Sequence, residues 1–154
     1  MCIRDRFRAI AHERMVVIGS GETLYHLTYV DDVVEGLVLA GRLDAAVGEV
    51  FTIAGERYTT LNELFRRIAD AAGVSPPRRR VPYAPMYAVA WVCDRLCRAI
   101  GVEPPLYPRR VEFFGKDRAF TIDKARRVLG FEPVVGLEEG LAITYAWYVE
   151  HGLI

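Results

Sequence analysis

Lysine is nearly missing from this 154-residue chain: Lys116 and Lys124 are the two among 20 basic side chains. Cysteine is as sparse, with Cys2, Cys93 and Cys97. An odd count with no secretory signal ahead of it argues against a disulfide framework and for a reducing, cytoplasmic setting. Cys93 and Cys97 stand four apart on an expected helix, yet no histidine or acidic cluster at ligand spacing completes a metal site, so they read as small buried hydrophobes. The longest apolar run, Val81 to Cys93, is followed by Asp94, Arg95 and Arg98. It falls short of the roughly 20 residues a membrane-crossing helix needs. Net charge is lacking too, since 20 acidic side chains balance the 20 basic ones. No global field therefore draws the chain to nucleic acid or an anionic surface.

What is present is the composition of one globular domain with a real core: 52% hydrophobic and 26% charged residues. Met1-Cys2-Ile3-Arg4-Asp5-Arg6 show no periodicity and no targeting pattern, and residues 1–13 read as a foreign or irregular start. Met15-Val16-Val17-Ile18 reads as a buried strand closed by Gly19-Ser20-Gly21, and Leu24 to Val30 as a second extended run. Asp31 stands at an N-cap position. Val30, Val33, Val34, Leu37 and Val38 then repeat as the stripe of a helix packed on a sheet. Val50 to Ala54 is the next predicted strand, and Thr60 with Glu63 forms a capping box for a helix ended by Gly73. Pro76-Pro77 marks a change of character. A short basic strand, Arg78 to Val81, leads to a long apolar helix from about Pro85 to Ile100. A short helix covers Pro108 to Phe114, a strand Arg118 to Ile122, a short helix Asp123 to Gly130, and a last helix Leu137 to about His151. The alternation of strands and helices is that of an α/β protein.

The informative residues form an ordered series. It runs through His26-Leu27-Thr28-Tyr29-Val30-Asp31-Asp32, Gly48-Glu49-Val50-Phe51-Thr52-Ile53-Ala54-Gly55 and Thr60-Leu61-Asn62-Glu63-Leu64. Phe120-Thr121-Ile122-Asp123-Lys124-Ala125 continues to Leu129-Gly130-Phe131-Glu132-Pro133, and Leu137-Glu138-Glu139-Gly140-Leu141 ends in Trp147-Tyr148. The series resembles the C-terminal half of the extended short-chain dehydrogenase/reductases, the NAD-dependent epimerase/dehydratase and 3β-hydroxysteroid-dehydrogenase-like family. That resemblance implies a C-terminal portion of a Rossmann-type fold, with its last strands and helices over residues 14–74. The small substrate-binding lobe and C-terminal helix would occupy residues 75–154.

The family's catalytic equipment is a Gly-rich turn after the first Rossmann strand and a tyrosine followed four residues later by lysine. Neither pattern stands in this sequence. The resemblance therefore implies NAD or NADP in an intact parent and none for this chain alone, which reads as a truncated and inactive substrate-side fragment. Sugar-nucleotide members place an arginine where Tyr25 stands here, which points to a less charged, lipophilic substrate. The substrate-binding candidates are Tyr25, His26, Arg110 and Arg118, although a histidine placed like His26 is more often a satisfied packing residue. A homodimer in the parent is compatible with the family. The apolar segment from Pro82 to Ile100 lines a lipophilic pocket, packs a partner or touches a membrane interface, with core packing the default. The rival reading is a non-enzymatic binding or interaction module on the same scaffold. A nucleic-acid role for Arg78–Arg80 finds no aromatic–basic interleaving to support it.

Overall fold

The computed structural model describes residues 3–154, so Cys2 lies outside the described residues. The chain runs α1 (Ile3–Ala11), β1 (Val17–Ile18), β2 (Leu24–Tyr25), α2 (Val30–Arg42), β3 (Thr59–Thr60), α3 (Leu61–Ala72), β4 (Arg80–Val81) and α4 (Tyr83–Ala99). It continues through α5 (Pro108–Glu112), α6 (Asp123–Leu129) and α7 (Leu137–Glu150). β1 pairs in parallel with β4, Val17 facing Arg80, and β2 pairs antiparallel with β3, Tyr25 facing Thr59.

α3 is the hub, and its sequence says why. Thr60 caps it by accepting from the Glu63 N–H at 3.1 Å, and Gly73 ends it in the left-handed region at φ 67°. Between these stops Leu61, Leu64, Phe65, Ile68 and Ala69 are all buried, one face at helical spacing. α1 and α7 pack on that face. Phe7 and Ile10 enter from α1 and Leu141 from α7, with Tyr145 stacked on Phe7 and Tyr148 meeting it edge-on. Each such large apolar side chain stabilises the fold by roughly 1.5–3 kcal/mol. The start that reads as irregular is thus helical in the structure: Ile3, Phe7 and Ile10 sit at i, i+4 and i+7, too short a pattern to stand out. A second, smaller core joins Ala54, Ile122, Ala125, Leu129 and Phe131 under α2 and α6.

Several expected elements change. Val50 to Ala54 forms no strand, and of Arg118 to Ile122 only Arg118 bridges to Tyr25. The extended run pairs only at Leu24–Tyr25, and α2 begins already at Val30. Asp31 is no cap: Tyr29 holds the N-cap position without a side-chain bond. The Asp32 carboxylate is buried and accepts the backbone N–H groups of Val134, at 2.9 Å, and Val135, at 3.3 Å. It ties the start of α2 to the segment before α7. The apolar stripe of α2 is not covered either, since Val30, Val34 and Leu37 are 62%, 52% and 67% exposed. α2 packs instead through Gly36, where an added Cβ would lie 2.8 Å from Ile53. α4 likewise buries only Ala90 fully.

Candidate functional site

β2 is held on both edges. β3 lies on one side; on the other, Arg118 donates its N–H to the Leu24 carbonyl at 2.8 Å and Asp117 accepts the Leu24 N–H at 2.8 Å. Thr23 adds a hydroxyl bond to the Phe114 carbonyl at 2.6 Å. This frame brings Tyr25 and Arg118 together from 93 residues apart, the guanidinium donating to the phenol oxygen at 2.6 Å. The Tyr25 hydroxyl donates in turn to the Phe113 carbonyl. Arg6 lies over the Phe113 ring at 4.0 Å and reaches the Tyr25 ring at 5.5 Å; Arg118 covers the same two rings.

Burial pushes the Tyr25 phenol up to about 12, against the downward pull of Arg118 and Arg6. The phenol therefore stays a neutral donor at any ordinary pH and is no general base. The Arg118 head is engaged as well, also donating to the carbonyls of Phe113 and Lys116 at 3.2 Å each.

His26 follows Tyr25 in the chain and points at the second core. Its Nε2 lies 2.9 Å from the Gly55 carbonyl, and Phe120 donates its N–H to Nδ1 at 3.3 Å. A carbonyl only accepts, so the proton sits on Nε2 and the ring is neutral with both nitrogens used. Arg110 joins neither group: it donates to the Pro105 carbonyl at 2.9 Å and lies over the Tyr107 ring at 4.9 Å.

A cleft of about 550 Å³ opens between α1, residues 27–30, residues 55–57 and α7. Its walls carry the rings of Phe7, Tyr29, Trp147 and Tyr148, with Arg57 and Thr144 as polar edges. The size and the mostly apolar lining suit a small molecule. Arg57 is held there by Glu63 at 3.3 Å and Glu138 at 3.1 Å. None of the four candidate residues lines this cleft. The aromatic end of α7 was its available signal: Tyr145 and Tyr148 mark the docked face, so Trp147 and Ile143 must look elsewhere.

The Gly19-Ser20-Gly21 turn does not fit the phosphates of a dinucleotide. Gly19-Ser20-Gly21 has positive φ at both glycines, 81° and 75°, but leads into β2 rather than a helix. No N-terminal amides then meet a pyrophosphate. The turn is consumed by its own packing. Asn62 and Arg80 both donate to the Ser20 carbonyl, at 3.0 and 2.5 Å, and a Cβ on Gly21 would lie 2.1 Å from the Asn62 side-chain oxygen. Both lysines are engaged elsewhere, Lys116 with Glu112 at 2.7 Å and Lys124 with Glu49 at 2.6 Å. Among the described residues no group of three His, Cys, Asp or Glu side chains is placed to hold a metal. Cys93 and Cys97 share a face of α4 with their sulfurs 4.0 Å apart. No helix among the described residues is long and apolar enough to cross a membrane.

No family model matches the chain. It is 35% identical over 145 residues to the decarboxylating sterol-4-alpha-carboxylate 3-dehydrogenase of Saccharomyces cerevisiae, a match covering 86% of this chain and 40% of the relative. The crystal structure of gox2253 superposes with a TM-score of 0.75 at 29% identity, over 100% of this chain and 45% of that one. The UDP-glucuronic acid 4-epimerase from Bacillus cereus in complex with NAD shares the fold, with a TM-score of 0.68 at 19% identity over 100% of this chain and 40% of the epimerase. The chain thus spans about 40% of the length of the relatives it matches. Sequence and fold together liken the chain to the C-terminal portion of the extended short-chain dehydrogenase/reductases of the NAD-dependent epimerase/dehydratase kind.

Proposed function

We propose that this chain is the substrate-side portion of an NAD(P)-dependent oxidoreductase, one that moves a hydride between a nicotinamide and a secondary alcohol or ketone on a lipophilic, sterol-like substrate. The observation that carries this reading is the similarity to a sterol 3-dehydrogenase over 86% of the chain. The ring-lined cleft under α7 supports it, being large enough for a flat apolar skeleton. Tyr25 supports it from the other side: a neutral phenol with an arginine spent on it offers little to a pyrophosphate.

In this reading NAD or NADP, and the base that takes the hydroxyl proton, belong to the remainder of an intact enzyme. Residues 14–74 end its Rossmann-type unit, and residues 75–154 form the small lobe. The open face of α2, with Val30, Val34 and Leu37, is where that remainder packs. Tyr25 and Arg118 orient the arm around β2 on the substrate side, and His26 fixes it to Gly55. The chain alone binds no dinucleotide and turns nothing over, and it works in a reducing compartment where Cys93 and Cys97 stay free thiols.

The test is a set of parallel titrations of the whole chain. A 3-hydroxysterol should quench tryptophan emission through Trp147, while UDP-glucuronic acid should not, and NADH should gain no fluorescence. Saturable NADH binding, or binding of the sugar nucleotide in place of the sterol, would overturn the assignment.

A further inference from the structure

Two cysteines stand on α4, and the pitch of the helix sets them side by side. Cys93 and Cys97 are four residues apart, about one turn along one face, with their sulfurs 4.0 Å from each other. On the helical wheel they fall between the buried Ala90 and the exposed Val89, Leu96 and Ile100. Both side chains are half-buried, so the pair is held by the fold yet open to solvent on one side.

A disulfide does not suit this pair. It needs Cβ atoms roughly 3.5–4.5 Å apart, whereas residues i and i+4 of a helix hold theirs roughly 5–6 Å apart. Closing the bond would pull α4 out of helical geometry. The gap between the sulfurs suits two thiolates on one ion instead: at a metal–sulfur length of about 2.3 Å, 4.0 Å corresponds to an angle of about 120° at the metal. The lack of further donors then selects the ion. Among the described residues no three His, Cys, Asp or Glu side chains cluster as ligands, and the Asp94 carboxylate beside the pair is held by Arg98 at 3.0 Å. A structural Zn(II) takes four ligands and the hard cations take shells of oxygen. Cu(I) is the soft ion that thiolates select, and two or three sulfurs complete its shell.

We propose that Cys93 and Cys97 form a two-thiolate site for Cu(I). On binding, two S–H bonds break, two Cu–S bonds form and both protons pass to solvent, with copper and sulfur unchanged in oxidation state. The two thiolates and the ion together carry one negative charge. The surroundings favour that charge, since residues 75–118 hold nine basic and four acidic side chains, a net of +5. The exposed aliphatic side chains of Val89, Leu96 and Ile100 border the sulfurs and limit water at the ion. The third position of a trigonal shell faces the open side, where a small thiol of a reducing compartment delivers or withdraws the copper. The site is separate from the ring-lined cleft and does not depend on what that cleft binds.

The experiment titrates the whole chain, carrying Cys2→Ser so that Cys93 and Cys97 are its only thiols, with Cu(I) buffered as its bicinchoninate complex under argon. The chain should withdraw one Cu(I) per chain, read as loss of the chelator's colour, with no change in its size-exclusion elution. Cys93→Ser and Cys97→Ser, added singly, should each weaken uptake about a hundredfold or more, beyond what loss of an outer-shell partner costs. Both positions are half-buried and tolerate an isosteric hydroxyl, so the circular dichroism spectrum should not change. Equimolar Zn(II) should not displace the copper. Absence of uptake, uptake that survives loss of both cysteines, copper shared between two chains, or displacement by Zn(II) overturns the proposal. So does a disulfide between Cys93 and Cys97 that forms in air with the helical signal intact.

Discussion

Two adjacent aspartates open α2, and the structure gives them unequal work. Asp32 is 4% exposed and accepts two backbone N–H groups from a segment 102 and 103 residues away. A hydrogen bond to a charged partner contributes about 1.5–3 kcal/mol, and the 3.3 Å bond from Val135 counts for less than the 2.9 Å bond from Val134. Asp32→Ala should therefore cost about 3 kcal/mol. For a chain of this size that lowers the Tm by about 6–12 °C. Asp32→Asn keeps one acceptor oxygen and should cost about half as much. Asp31 is exposed, touches only the positive end of the helix, and should cost about 0.5 kcal/mol when replaced by alanine. Urea unfolding followed at 222 nm reads the stabilities, and amide hydrogen exchange reads the bonds themselves. The Val134 and Val135 amides should exchange slowly in the parent chain and in Asp31→Ala, and fast in Asp32→Ala. Asp31→Ala costing more than Asp32→Ala, or unchanged exchange at both valines, would refute the reasoning.

The Tyr25 phenol makes a pH prediction. Its pKa is raised from 10.0 to about 12, chiefly by burial, so folding favours the protonated form. That stability is whole below pH 10 and is lost as pH rises through 10 towards 12, a ceiling of roughly 2–3 kcal/mol. Absorbance at 295 nm should show one phenol titrating late, and Tyr25→Phe should abolish that late step; an unchanged curve would remove the argument. Gly21→Ala should destabilise by about 2 kcal/mol, because its Cβ meets Asn62 at 2.1 Å and its φ is 75°. Adding Asn62→Ala should recover the contact part and leave about 1 kcal/mol of backbone strain; full recovery would mean that φ was never strained.

What was legible in the sequence is what neighbours along the chain decide. The Thr60 cap and the helix ends at Gly73 and Gly130 all depend on residues within a turn or two of each other. The Tyr25–Arg118 pair and the Asp32 tie were invisible for the opposite reason: they join residues 93 and 102 apart, and no local pattern marks them. Arg118 stood among the candidates through the family resemblance, while its actual partner was another of them. The ring-lined cleft was missed because the sequence marks the last helix but not the segments its second face would meet. Trp147 and Ile143, on its other side, form a wall only once residues 27–30 and 55–57 are placed opposite.

Val50 to Ala54 shows the limit in one segment. Val50, Phe51, Thr52 and Ile53 are strong strand formers, yet none lies in a strand. Strand propensity describes how well a side chain suits a pleated, half-buried surface, and it is realised only when a neighbouring edge takes up the N–H and C=O groups. Among the described residues no strand lies alongside these four, and Val50 stands 83% exposed. The helices need no such neighbour: α2 keeps its hydrogen bonds within itself and forms even with Val30, Val34 and Leu37 in water. The same cause thus explains both departures from the sequence reading. A strand without its edge is lost from the fold, whereas a helix without its sheet persists with its apolar stripe exposed.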